Sequence, residues 1–426
     1  MKNEINFGIG FISGRPNVCK IINNYGKFMV EQLKELDTKV NLTIYILFDL
    51  SYQHTIRTEF YSILPKVYKN IKIKYITPEN ILEYQKVLMS RYKMTKEEAK
   101  LFIGNGYAKA RNTILYCAMQ HKMDYILFWD DDEYPVAGVL NEDNTLSWIK
   151  QKNLLEHIKN IENANITQGY RCGMMNPVPY VKYTKDITKQ DYKNFIDALE
   201  NEVVSWKKIQ EARKNPSCIA YADSEIANGN CKPQKIKKIG KENFVLGSGL
   251  CLNLRDIDKI PAFYNPPNAR GEDTFFSCAL KEKEATVLRV PTYHFHDSFL
   301  QYSKIMKERY PEQLTGKQLV DAEVEQRFLK ATIGWVRYKP LLYYIKDREN
   351  YRQIIDEARE NLKKSVYKIN TKFKTCDFSC LIDELDNYDK NVELHYEEYL
   401  KVNKLWDKFK RKVGEEHENK IKKELL

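Results

Sequence analysis

The 426-residue sequence lacks several features that would place it in a special class of proteins. It has no apolar run near the length needed to cross a bilayer, and its polar start, Met1-Lys2-Asn3-Glu4, does not resemble a secretory signal. Its nine cysteines include no C-x-x-C pair and lie mostly among apolar neighbours, which is typical of reduced core thiols and argues against a zinc site. We therefore expect a globular, cytoplasmic protein of two or three structural units.

The charge balance is basic, with 69 Lys and Arg against 58 Asp and Glu, a formal charge of +11. This excess suits an anionic partner but does not choose among a nucleotide, a nucleic acid and a lipid surface. No basic stripe interleaved with aromatics stands out from the Tyr-rich background, so we expect no nucleic-acid partner. Residues 399–426 form a Lys-rich amphipathic pattern that predicts a helix, either lying on the inner face of a membrane or packed on the protein body.

One stretch joins an apolar strand to a run of acids. Residues 125–129 are strand formers and too few for a helix, so they predict a strand buried on both faces. Four acids follow at 130–133, and carboxylates bunched at a strand end raise each other's pKa unless a cation neutralises them. A divalent metal is the simplest remedy, and a solvated acidic turn closed by Pro135 is the alternative.

The first hundred residues alternate between strand and helix patterns. Strands are predicted at about 5–12, 42–48 and 70–76, with helices at about 19–36 and 78–100. This alternation is typical of a parallel sheet that is covered on both faces. Ligands of such sheets bind beyond the carboxyl ends of the strands, where Arg15, Asp49 and the acid run all fall.

A glycine-bearing loop at 104–106 enters a helix that carries Lys109 and Arg111. Backbone donors at a helix start, together with fixed positive charge, suit a pyrophosphate, although the glycines also suit a plain helix cap. Further along, Gly247-Ser248-Gly249 leaves room for a ligand or another backbone, or else marks a bulge.

Two later pairs of side chains have candidate chemistry. Glu272 and Asp273 begin an amphipathic helix, where acids ordinarily act as caps or helix-dipole partners. His294 and His296 alternate along a strand pattern and point to one face, so that one of them could complete a metal shell. Two structural histidines are the plainer alternative.

The order of these motifs resembles the GT-A glycosyltransferases, most closely glycosyltransferase family 2 and its relatives. The shared pattern is a "G…ARN" helix at 106–112, an apolar strand ending in the DxD of 130–132, the later "ED" of 272–273 and a downstream His. It covers roughly residues 5–300. The first loop, 11–16, departs from the Tyr-Asn pair of many relatives, and the absence of a QxxRW-like signature argues against a processive membrane synthase.

The resemblance implies an α/β fold of the GT-A (Rossmann-like) type, with a mixed, mostly parallel sheet flanked by helices. Beyond the part that it covers, the change at about residue 310 to helix formers with many charges predicts a C-terminal helical appendage. The catalytic domain would span 1–310, including a helical and irregular insertion at 186–241. Residues 311–426 would form the helical region, which serves acceptor binding or membrane contact.

The implied activity is metal-dependent transfer of a sugar, with inversion, from a nucleotide-sugar donor to a hydroxyl of a saccharide, lipid-linked or protein acceptor. The cofactor would be Mn²⁺ or Mg²⁺, bound by Asp130 and Asp132 with His294 or His296. Asp273 would be the base, with Glu272 beside it, because the attacking hydroxyl must lose its proton. The donor would contact Arg15, Asp49, Lys109, Arg111, Asp130, Asp131 and Gly249. A metal-dependent nucleotidyltransferase or nuclease, and a non-catalytic scaffold with a degenerate transferase fold, are the alternatives.

Overall fold

A computed structural model describes most of the chain, namely residues 4–15, 18–49, 69, 71–202, 204–212, 219–236, 238–239, 242–243, 245–297, 302, 304–305, 309–314 and 322–424. In these residues, no helix is both long and apolar enough to cross a membrane.

Four parallel strands form the first half of a nine-stranded sheet, in the order β3-β2-β1-β4. Every side chain of the fourth strand is buried, as predicted for a strand covered on both faces. The predicted helix at 78–100 is two helices, each opened by a capping box, at Thr77 and Thr95. The elements are β1 (Glu4–Ser13), α1 (Val18–Leu33), β2 (Lys39–Phe48), β3 (Lys72–Ile76), α2 (Pro78–Arg91), α3 (Lys96–Phe102), α4 (Tyr107–Gln120) and β4 (Tyr125–Trp129).

The second half of the sheet is mixed and continues β4-β12-β8-β13-β5, with β9 also paired to β13. Strands β12, β5 and β9 run against the other six, so the sheet is mostly parallel. The strands and helices of this part are β5 (Glu133–Tyr134), α5 (Asn153–Ile161), β8 (Ile166–Cys172), α6 (Lys189–Ala198), α7 (Trp206–Ala212), α8 (Ser224–Ala227), β9 (Gln234–Lys235), β12 (Leu250–Asn253), α9 (Glu272–Lys283) and β13 (Val287–His296).

Two hairpins lie beside the sheet, β6 (Val136–Leu140) with β7 (Leu146–Lys150), and β10 (Lys238–Ile239) with β11 (Glu242–Asn243). The sequence of residues 146–161 is typical of one helix, but residues 146–150 form a strand and the helix begins only at Asn153. The turn at 141–145 folds residues 146–150 back onto β6, where backbone pairing with the neighbouring strand outweighs a short helical pattern.

The C-terminal region is helical, as predicted, and comprises α10 (Ala322–Lys346), α11 (Tyr351–Lys372), α12 (Cys380–Lys390) and α13 (Val392–Glu424). The apolar stripe of α13 packs on the body of the protein, with Trp406 6.0 Å from Phe102 and Phe409 5.3 Å from Tyr116 between ring centroids. The packed alternative is therefore the one observed, and this stripe is not available to a membrane. The predicted α/β class, a mixed and mostly parallel sheet flanked by helices with a helical C-terminal region, is confirmed.

Candidate functional site

Guanidinium groups surround the acid run at the end of β4. One Nη atom of Arg15 lies 3.0 Å from a carboxylate oxygen of Asp131 and 3.0 Å from one of Asp132. The hydroxyl of Ser13 also donates a hydrogen bond to Asp131. Asp130 is the most open of the three, since 41% of its side chain is exposed and its oxygens lie 3.8 Å from both Arg111 and Arg171. Arginines therefore provide much of the neutralising charge that the sequence led us to expect from a metal.

The histidine that reaches the acids is His296. Its Nε2 lies 3.3 Å from Oδ1 of Asp132. Burial would raise the pKa of Asp132, but the charges of His296 and Arg15 outweigh burial and hold this pKa well below its usual range. Burial likewise opposes protonation of His296, yet Asp132 leaves the imidazole pKa raised. Burial raises the pKa of Asp131 to about 7, although Arg15 opposes it.

We expect His296→Gln to lower the free energy of unfolding by roughly 1–3 kcal/mol near pH 5–6, because it removes a charged hydrogen bond. The raised pKa of His296 makes its contribution complete below about pH 6.5 and lost as the pH rises through its folded-state pKa. The lowered pKa of Asp132 makes its share complete above about pH 4 and lost as the pH falls through its folded-state value. Urea unfolding from pH 3 to 9 measures this, and a pH-independent difference would contradict it.

His294 has a different setting. It is fully buried, its ring meets Trp129 edge-on at 5.4 Å, and neither ring nitrogen has a hydrogen-bond partner in the described part of the chain. Burial lowers its pKa well below the usual value. Gly249, predicted to contact the donor, has φ +59°, and a Cβ there would lie 3.2 Å from Nδ1 of His294. The space at this glycine is therefore taken by the histidine.

Arg111 is the most heavily bonded cation of the site. Its Nη1 lies 3.0 Å from Oε1 of Glu272, and its Nε and Nη2 donate to the carbonyl of Gly247 at 3.3 and 3.1 Å. The rings of Phe128 and Phe263 flank the guanidinium at 5.9 and 5.8 Å. A Cβ at Gly247 would lie 2.6 Å from Nη2, so the close approach predicted for this glycine is made by Arg111.

Lys109 and Asp49 are the outer members of the predicted set. Burial lowers the pKa of Lys109, and the carboxylate that acts on this lysine is Glu398 of α13, which is not part of the acid run. Asp49 follows β2, where its N–H donates to the carbonyl of Ser13 at 3.0 Å. It therefore lies at the predicted edge of the sheet, two strands from Asp130.

Glu272 and Asp273 differ in their surroundings although they adjoin in sequence. Glu272 is paired with Arg111, whereas the half-buried Asp273 accepts a hydrogen bond from the N–H of Thr274 at 2.9 Å. Burial raises the pKa of Asp273 to about 7, with Glu272 and Glu202 adding to the effect and Arg111 and Arg171 opposing it. A carboxylate with this pKa can both hold and release a proton near neutral pH.

The site is completed by three residues to which the sequence gave no role, namely Arg171, Ser248 and Glu202. Arg171, at the end of β8, lies 3.2 Å from the fully buried Glu133 and donates to the hydroxyl of Ser248 at 2.6 Å. Ser248 in turn donates to Glu133, whose pKa is raised by burial despite Arg171. The third residue, Glu202, comes from the insertion and hydrogen-bonds Thr274. The position of Arg171 near the carboxyl end of a strand is the signal that could have identified this residue.

Whether the acid run can bind a divalent metal ion depends mainly on Asp130. In the described ranges, no group of three or more His, Cys, Asp or Glu side chains lies close enough to hold an ion. Mg²⁺ in proteins commonly uses one or two carboxylates and takes its other ligands from substrate phosphates and water. Asp130 fits that pattern, because it is partly exposed and no closer than 3.8 Å to its cationic neighbours. Asp132 fits as a second carboxylate, shared with His296.

Comparisons with known proteins add little. No protein-family model and no curated sequence matches the chain. Among solved structures it is similar to mouse xyloside xylosyltransferase 1 in its apo form, with 10% identity over 74% of this chain and 96% of that one, at a TM-score of 0.23. A TM-score this low supports no conclusion about the fold family or the activity of this chain. The strand order and the site define this chain only as a mixed α/β protein, with clustered charges at the carboxyl edge of its sheet.

Proposed function

We propose that this protein is a glycosyltransferase that moves a sugar from a nucleotide-sugar donor to an acceptor hydroxyl. The observation that supports this function best is a pair of acid sites in different surroundings. Asp130 is open and lies between two guanidinium groups, whereas Asp273 has a pKa of about 7. Arg111 and Arg171 lie 3.8 Å from Asp130, and their charges also oppose the raised pKa of Asp273, so the proposal treats them as cations that serve both acids.

Each acid site suits one half of the reaction. As the bond between the sugar and the nucleoside diphosphate breaks, negative charge develops on the leaving group, and Arg111 and Arg171 offer preorganised charge to stabilise it. A Mn²⁺ or Mg²⁺ ion held by Asp130 and Asp132 would supply further positive charge there. Asp273 would accept the proton of the acceptor hydroxyl during attack on the opposite side of the sugar carbon, which gives inversion.

The nuclease or nucleotidyltransferase alternative would need carboxylates gathered around two metals. Asp131 and Asp132 instead lie 3.0 Å from Arg15, so this arrangement favours a single metal bound with a diphosphate. A non-catalytic scaffold would not need an acid such as Asp273, whose pKa is raised to about 7.

A donor screen tests the proposal directly. The protein is incubated with common nucleotide sugars and Mn²⁺ or Mg²⁺, with simple saccharide acceptors, and nucleoside diphosphate release is measured. We expect release from one donor by the unaltered protein and much less by Asp273→Asn. Metal-dependent cleavage of nucleic acid without release from any donor would replace the proposal with the nuclease alternative.

We expect Asp130→Asn to weaken binding of a nucleoside diphosphate in the presence of Mn²⁺ by roughly tenfold or more, because it removes the most accessible carboxylate of the acid run. Isothermal titration calorimetry with and without the metal measures this. The control is Asp186→Asn, which removes the same charge from an exposed position in the insertion. Equal affinities for the two variants would exclude Asp130 as a metal ligand.

A further inference from the structure

The segment 260–271, which leads into α9, forms neither helix nor strand and takes many of its hydrogen-bond partners from the C-terminal helices. Buried backbone groups need such partners, and a segment without regular structure cannot supply them all itself. In its first half, three residues are bonded to α13. Trp406 Nε1 donates to the carbonyl of Ile260 at 2.7 Å, the N–H of Ala262 donates to Asn403 at 3.3 Å, and the hydroxyl of Tyr264 donates to Glu398 at 2.9 Å.

The second half of the segment is bonded to α12 and α10. The hydroxyl of Tyr388 donates to the carbonyl of Pro267. Arg337 donates to the carbonyl of Asn268 at 2.8 Å, while Glu384 holds the same guanidinium through two hydrogen bonds of 2.8 and 2.7 Å. The turn that precedes the candidate base is therefore held by side chains that come more than sixty residues later in the chain.

The contacts continue into the first turn of α9. Gly271 has φ +95°, and a Cβ there would lie 3.1 Å from the ring of Tyr338 on α10, so the helix start lies directly against this ring. The hydroxyl of Tyr338 donates to Glu202 at 3.4 Å, and Glu202 also accepts a hydrogen bond from Thr274. Asp273 thus lies in a turn that is bounded by the C-terminal region and the insertion.

The same segment also fixes the donor side of the site. The side-chain oxygen of Asn265 accepts a hydrogen bond of 3.1 Å from the N–H of Ala108, and so caps α4 where Gly106 has no side chain to do so. Arg111 lies one turn further along α4. One segment therefore connects the helix of the candidate base with the helix of the principal cation.

We infer that the C-terminal helical region is a positioning element of the active site, which holds segment 260–271 so that Asp273 keeps its position relative to Arg111. This inference deepens the proposed function and, for its chemistry, rests on it. Proton transfer during attack tolerates little misplacement, and an error of about 1 Å costs roughly a hundredfold in rate. Tyr388 and Arg337 are positioning residues under this inference, since both contact segment 260–271 and, within the described residues, neither contacts an acid of the site.

The test removes one hydroxyl at a time. Tyr388→Phe removes the hydrogen bond to Pro267. The control is Tyr351→Phe, which removes a hydrogen bond from a tyrosine hydroxyl that is also partly buried. Its acceptor is Asp389, so this bond lies within the C-terminal region. We expect amide hydrogen exchange across 262–275 to rise roughly three- to tenfold in Tyr388→Phe and not in the control. With a donor identified, kcat is expected to fall about tenfold while the KM for the donor is unchanged.

The exchange measurement needs no substrate, so it separates this inference from the proposed function. Equal exchange across 262–275 in both variants would overturn the inference, as would an equal fall of kcat in both. Raised exchange in Tyr388→Phe, in a protein that releases no nucleoside diphosphate from any donor, would uphold the contact with segment 260–271 and overturn the assignment of sugar transfer. Arg337→Lys loses the bidentate hydrogen bonding to Glu384, so it should also raise amide hydrogen exchange across 262–275.

Discussion

Asp273→Asn is expected to slow sugar transfer by at least about a hundredfold while leaving donor affinity nearly unchanged. Asn keeps the shape of the side chain and can still accept the hydrogen bond from the N–H of Thr274, so the helix start is preserved and only basicity is removed. Steady-state kinetics together with calorimetric donor binding measure the two quantities separately. Near-normal turnover would reduce Asp273 to a local structural role, and the inverting mechanism would have to be abandoned.

The pH dependence of the unaltered enzyme provides an independent check of the same base. The pKa of Asp273 is raised to about 7, so its ionised fraction falls tenfold for each pH unit below that value. The logarithm of kcat/KM should therefore fall with unit slope below about pH 7. Glu202→Gln removes one of the charges that raise this pKa, so the pH at which kcat/KM begins to fall should be lower in this variant. Burial also raises the pKa of Asp131 to about 7, and the carboxylates that chiefly add to this effect are Asp132 and Asp130. A pH dependence that Glu202→Gln leaves unchanged would therefore assign the titration to a group other than Asp273.

Arg111→Met is expected to lower the free energy of unfolding by about 3–5 kcal/mol, the second large effect. It leaves the buried carboxylate of Glu272 without its cation and the carbonyl of Gly247 without its donors. Urea unfolding with the double variant Arg111→Met, Glu272→Gln should recover part of this loss, because the unpaired charge is then gone.

Arg91→Met is the matched control for this prediction. Arg91 also pairs with a glutamate, Glu416, but both side chains are substantially exposed, at 51% and 33%. Exposed ion pairs contribute about 1 kcal/mol or less. If Arg111→Met cost no more than Arg91→Met, the pair with Glu272 would not be the anchor of this site.

These expectations concern residues that the sequence identified with very different success. The run 125–133 was readable because a buried strand and a cluster of acids are local patterns. Arg15, Asp49 and Asp130 were placed at the carboxyl edge by the alternation of strands and helices alone. By contrast, Glu202 carries no local mark, and only its contact with Thr274 brings it into the site.

The choice between the two histidines is a similar case. His294 and His296 alternate along the same strand, and nothing in the sequence separates them. The structure packs His294 against Trp129 and Gly249 and brings His296 to Asp132. The register of β13 makes the difference, because His294 pairs with Arg171 of β8, whereas His296 pairs with Glu133 of β5, next to Asp132.

The sequence by itself determined the fold class, the buried strand that carries the acids and the helical nature of the C-terminal region, because these depend on hydrophobic periodicity over a few neighbouring residues. Only the tertiary structure decided which cation meets which acid, and that α13 turns its apolar stripe to the protein body. Ser13 and Asp131 are 118 positions apart, as Arg15 and Asp132 are 117 apart. Contacts over such separations follow from strand order and from the packing of helices on the sheet, and neither is encoded by a pattern within one segment.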